Sequence, residues 1–150
     1  MRPFLEAGLR NWHRMLGLPQ QATRFWHRDR LRKELREAPT PLLKLSESSD
    51  VFFSISRARY DGFAIRSLPS LAPPRHLLVY AYMLGKFTMR WAFYRTVAVL
   101  CKAPNRQMVN EVVNPGKNHK LFEVATRHNI DSKKFLRVGL LVRRVWPLLP

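Results

Sequence analysis

Residues 77–101 form the longest apolar stretch of the chain. It contains no proline and one glycine, yet Lys86, Arg90 and Arg95 fall inside it. Such a run is too long for an ordinary strand and long enough to cross a bilayer as a helix. Three central charges would each cost roughly 2.5–3.5 kcal/mol on insertion into lipid, so a span is not expected. The run predicts one long helix over about 75–102 in a water-facing protein. Peripheral contact with a membrane surface is left open.

Punctuation on either side of this helix divides the rest of the chain. Gly17 and Pro19 end an amphipathic helix over 4–17. Thr23 can cap a second helix running to about 38, supported by acid–base spacing such as Asp29–Lys33 and stopped by Pro39 and Pro41. The polar stretch 46–50 reads as a turn. The apolar positions of 51–60 fit helix or strand equally, and Asp61-Gly62 is a turn signal. Residues 67–75, Ser-Leu-Pro-Ser-Leu-Ala-Pro-Pro-Arg, read as a proline-rich linker. Beyond the long helix, Pro104 is expected to open a short helix to Val113, followed by a turn at Asn114-Pro115-Gly116. A helix over 118–128 should end at Asn129, a residue tolerant of the left-handed cap. Asp131 or Ser132 should cap a last helix to about 146, stopped by Pro147. On that helix Phe135, Val138, Gly139, Val142, Val145 and Trp146 share one face and Lys133, Lys134, Arg137 and Arg144 the other. The expected fold is mostly α: an irregular helical N-terminal arm (1–66), the linker (67–75) and a small helical bundle (76–150).

Charge restricts function more than fold. There are 27 Lys and Arg against 10 Asp and Glu, a formal net charge of +17. Alone at low salt such a body repels itself, whereas a polyanionic partner removes the repulsion and releases counterions. Nineteen of the 27 cations are arginine, whose planar fork grips phosphates bidentately and stacks on bases. No acid occurs between Asp61 and Glu111. The first 36 residues hold nine cations and three acids, as mitochondrial presequences do in part, although Glu6 and the scarcity of serine depart from that pattern. The single cysteine, Cys101, rules out an internal disulfide and a cysteine-based zinc knuckle, and it reads as a buried inert thiol.

The five histidines show no metal-ligand spacing, and no nucleotide-binding or nucleophile motif is present. The reading is therefore non-enzymatic, without cofactor, metal or small-molecule substrate. Trp-His-Arg occurs at 12–14 and again at 26–28. On RNA this would let a base stack on Trp12 or Trp26 while Arg14 or Arg28 takes a phosphate. The alternative, favoured for the tryptophans themselves, is burial in the core. Residues 28–36 hold five cations in nine. The segment Ser56-Arg57-Ala58-Arg59-Tyr60-Asp61-Gly62-Phe63 is either an RNA-gripping knuckle or a staple holding the arm to the body. The candidate nucleic-acid contacts are Arg14, Arg24, Arg28, Arg30, Arg32, Arg57, Arg59, Lys133, Lys134, Arg137 and Arg144.

Three resemblances add to this reading. Residues 123–138, with Ala125, Asn129, Ile130, Phe135 and Val138, resemble a helix-turn-helix, which would turn Lys133, Lys134 and Arg137 toward DNA. Phe93-Tyr94-Arg95 looks like the Leu-Tyr-Arg motif of small basic mitochondrial assembly factors, with Phe in place of Leu and a mid-helix position. Phe25-Trp26-His27-Arg28-Asp29-Arg30-Leu31-Arg32-Lys33-Glu34-Leu35 together with Ser48-Ser49-Asp50-Val51-Phe52-Phe53-Ser54-Ile55-Ser56-Arg57-Ala58-Arg59-Tyr60-Asp61-Gly62-Phe63 resembles a family of small basic proteins of filamentous fungi with no assigned activity. That last resemblance implies a mitochondrial setting and a lineage-specific fungal mitochondrial ribosomal protein, and the reading taken is an accessory protein of the mitochondrial ribosome in the matrix, more specifically of its large subunit. Its partners would be ribosomal RNA and neighbouring ribosomal proteins. The alternatives are a respiratory-complex assembly factor of the Leu-Tyr-Arg type and a helix-turn-helix DNA binder.

Overall fold

The computed structural model describes residues 2–37 and 45–146. Among them are six α-helices and no strand: α1 (Arg2–Leu16), α2 (Arg24–Glu37), α3 (Leu45–Tyr60), α4 (Pro74–Leu100), α5 (Asn118–Arg127) and α6 (Ser132–Val145). The protein is all helical, as its periodicities led us to expect. Pro39, Pro41 and Pro147, expected to stop two of these helices, lie outside the described residues. No described helix is long and apolar enough to cross a membrane.

The chain forms two compact units, Met1–Gly85 and Lys86–Pro150. The division falls inside α4 rather than at the proline-rich segment. The N-terminal part, expected as an extended arm, has a core of its own: Leu9, Leu16, Leu31, Phe52, Phe53, Ile55, Val79, Tyr80 and Met83 are buried.

In the first unit α1 and α2 pack on α3. The stretch 46–50, expected as a turn, is instead part of α3. Its hydroxyls are satisfied inside the helix: Ser49 Oγ donates to the Ser46 carbonyl at 2.6 Å, and Ser56 Oγ to that of Phe53 at 3.0 Å. Every residue from Phe52 to Ala58 is buried. A helix covered on all sides shows no single apolar stripe, which is why the sequence left its period undecided. α3 ends in a Schellman turn. Phe63 N donates to Ala58 O and Gly62 N to Arg59 O, with Gly62 at φ +93°. The former linker is tied back as well, because Tyr80 Oη donates to the Pro69 carbonyl at 2.9 Å.

The second unit closes around Phe93, Tyr94, Val97 and Ala98 of α4, Leu121, Val124 and Ala125 of α5, and Phe135 and Val142 of α6. Asn129 adopts φ +54°, with Ile130 N donating to Ala125 O, and Asp131 caps α6 by accepting from Lys134 N at 2.8 Å. Both signals were read correctly from the sequence. The helix expected over 104–113 is reduced to a single 3₁₀ turn, Arg106–Met108. Its backbone serves α4 instead: Val109 O accepts from Arg95 Nε at 3.2 Å, and Val112 O takes a long contact from Arg90 at 3.5 Å.

Helices α5 and α6 meet closely at Gly139. A β-carbon there would lie 3.0 Å from Leu121 Cδ1, and Leu121 is fully buried. Gly139→Val is therefore expected to destabilise the protein by about 1–3 kcal/mol through overpacking. Urea unfolding followed by circular dichroism measures the loss, and an unchanged midpoint would refute the close contact.

Candidate nucleic-acid interface

The two Trp-His-Arg elements have one structural use in common. Each places its histidine at the C-terminal end of α3, His13 on the helix and His27 on the turn that follows it. His13 Nε2 lies 2.9 Å from Ser56 Oγ. Because that hydroxyl already donates to Phe53 O, His13 donates from Nε2. Burial, then the nearby Arg57 charge, pushes its pKa down to about 3. His27 approaches Asp61 Oδ2 at 3.3 Å, and burial lowers its pKa against the opposing pull of that carboxylate. Trp12 sits edge-on to Phe53 with ring centroids 6.0 Å apart, so it is a packing residue.

Arg57 must be removed from the candidate contacts. Its residue is 4% exposed. Nε donates to Asp61 Oδ2 at 3.1 Å, and one terminal nitrogen donates to the carbonyls of Leu18 at 3.0 Å and Pro19 at 2.9 Å. Arg57 of α3 fastens the loop that joins α1 to α2, a polar tie within the first unit and not the expected staple of arm to body. The spacing of Arg57 and Asp61, four residues apart before a Gly turn, was the signal for it. Arg59 is half-buried and engaged with Glu6 at 2.9 Å.

On α2 the buried residues are His27, Leu31 and Glu34, at i, i+4 and i+7. Arg30 pairs with Glu34 at 2.7 Å, and burial nevertheless raises the Glu34 pKa. Arg28, Arg32 and Arg36 stand in one exposed row on the side away from α3. Arg24 is exposed near the start of the helix and Arg14 on α1, where it reaches Asn11 at 3.0 Å. Arg36 was not singled out from the sequence, although its i+4 and i+8 spacing from Arg32 and Arg28 marks it.

On α6 Lys133, Lys134, Arg137 and Arg144 are exposed opposite Phe135, Gly139 and Val142. This confirms the two-faced pattern except for Val145, which is 77% exposed.

No family model, curated protein or solved structure matches the chain.

Three of the ten carboxylate side chains are buried with cationic partners. Glu111 takes Arg127 at 2.5 Å and His128 at 3.0 Å, while Asp61 and Glu34 are buried with their partners. The Phe93-Tyr94-Arg95 tripeptide is also internal. Phe93 and Tyr94 are fully buried, and Arg95 bonds Val109 O and Asn110 Oδ1 while lying 4.9 Å over the Trp91 ring. Cys101 is buried, and burial raises its pKa, as an inert thiol requires. Among the described residues no group of three or more His, Cys, Asp or Glu side chains could hold a metal.

Proposed function

We propose that this protein is an architectural RNA-binding component of a ribonucleoprotein particle. The resemblance of residues 25–35 and 48–63 to small basic fungal proteins favours a mitochondrial ribosomal setting, and we assign the protein to the large subunit in the matrix. The observation that carries the RNA reading is α2. Its inner face is locked to α3, and its outer face presents Arg28, Arg32 and Arg36 in a single row. Contacts of this kind position a protein on phosphate without reading sequence.

Binding to structured RNA should fall steeply with salt, each engaged phosphate adding about 0.7–0.9 to the log–log slope. The triple variant Arg28→Glu, Arg32→Glu and Arg36→Glu is expected to weaken RNA binding about tenfold or more at moderate salt and to flatten that slope. Sedimentation of the tagged protein through a sucrose gradient, with and without RNase, tests the setting. Comigration with ribosomal particles is expected. A slow-sedimenting pool indifferent to RNase overturns the proposal.

A second reading, a helix-turn-helix reader of duplex DNA, is favoured by α5–α6, where Ala125, Ile130 and Phe135 pack inward and Lys133, Lys134 and Arg137 face out. It requires sequence-selective duplex binding that is lost on Arg137→Ala. The buried Phe93-Tyr94-Arg95 tripeptide gives no support to the assembly-factor reading.

A further inference from the structure

The arginine row on α2 is interrupted by one residue that phosphate contact does not explain. Phe25 is 73% exposed. It stands three, seven and eleven residues before Arg28, Arg32 and Arg36. On an α-helix these four positions fall within about 80° of arc along about 16 Å of axis. His27, Leu31 and Glu34 hold the opposite face of the same helix, so the ring points away from a fixed surface. The neighbouring Trp26 is 40% exposed and rests edge-on against His27, with centroids 5.1 Å apart. Among the described residues no such ring contact is made by Phe25.

We propose that Phe25 is a stacking platform for an unpaired base, and that α2 grips single-stranded RNA. This inference rests on the RNA reading given above and names the kind of RNA. In a duplex the base faces are covered by their neighbours and only phosphates and groove edges are available. An apolar ring gains little there. In an unpaired strand each base offers a π-face, and a cationic row beside an aromatic ring is the pattern that takes it. Arg28 and Arg32 hold successive phosphates, and Phe25, about one turn before Arg28, takes the adjoining base. The sequence drew attention to the tryptophans of the repeated tripeptide. Trp12 is half-buried against Phe53 and Trp26 rests on His27, which moves that role to Phe25.

The test is fluorescence anisotropy of the full chain with a labelled RNA of about 12 nucleotides, single-stranded and then annealed to its complement. Phe25→Ala should weaken single-strand binding about tenfold or more, leaving duplex binding and the salt slope unchanged. Phe25→Trp should restore binding and Phe25→Leu should not, which separates stacking from simple apolarity. Because the side chain is exposed, each variant is expected to keep the helical circular dichroism of the parent. If Phe25→Ala is silent, or if Leu serves as well as Phe, the stacking role is wrong while phosphate binding stands. If neither RNA binds, the RNA reading itself fails and this inference with it. A Phe25 variant that loses a protein partner but no RNA also overturns it.

Discussion

Asp61→Ala is expected to cost about 3–5 kcal/mol of stability, because it leaves the Arg57 guanidinium buried without its carboxylate. The two side chains are 5% and 0% exposed, and Nε lies 3.1 Å from Oδ2. The same oxygen faces His27 at 3.3 Å and accepts from Gln21 N at 3.3 Å. One substitution therefore removes the anchor of α2, the loop and α3 together. Asp61→Asn should cost less, since an amide oxygen still accepts from Arg57 and only the charge is lost. Replacing both Arg57 and Asp61 by apolar residues should not rescue the fold, because the Leu18 and Pro19 carbonyls would lose their donor. Urea unfolding by circular dichroism measures each value. A loss below about 1 kcal/mol for Asp61→Ala would mean that the pair does not hold the unit together.

Acid should destabilise the protein before its exposed carboxylates titrate. His13 is 1% exposed and has its pKa lowered to about 3, and the His27 pKa is also lowered by burial. Below the unfolded histidine value of 6.5 the unfolded chain takes up protons that the folded chain refuses. Stability is then lost as pH falls, at about 1.4 kcal/mol per pH unit for each fully shifted group. For His13 alone the fall from pH 6.5 to 4.5 amounts to about 2 kcal/mol, and His27 acts in the same direction. Glu34 opposes them. Its raised pKa gives stability that is present below the unfolded glutamate value of 4.5 and is lost as pH rises through the folded one. Urea midpoints across this range test the sum. His13→Gln, which can still donate to Ser56, should flatten the dependence by about one proton. A pH dependence that His13→Gln leaves unchanged would show that His13 is not held neutral.

Much of the helical layout is legible in the sequence because local chemistry agrees with the tertiary fold. Thr23 Oγ1 accepts from Trp26 N at 3.3 Å, Gly17 takes φ +58°, and Asn129 and Asp131 act as their types suggest. Reading fails where long-range packing overrides local preference. The serines and acids of 46–50 resemble a turn until α3 is seen to be enclosed and to satisfy its own hydroxyls. Residues 104–113 carry no helix because their carbonyls answer arginines from α4. The candidate interface divides the same way. Charge excess pointed to α2 and α6, and the exposed rows are there. Composition could not show that Arg57 is internal or that Phe25, rather than Trp12, is outside, because both depend on which face of a helix meets α3.

The grip of Arg57 on the Leu18 and Pro19 carbonyls has a consequence for how the molecule is made. The fastening group lies 39 and 38 positions downstream of what it fastens. A growing polypeptide that has not yet delivered its third helix holds its first two only as separate segments. The loop between α1 and α2 is thus secured only once α3 has been made, and any fragment ending before Arg57 lacks the knot that ties it.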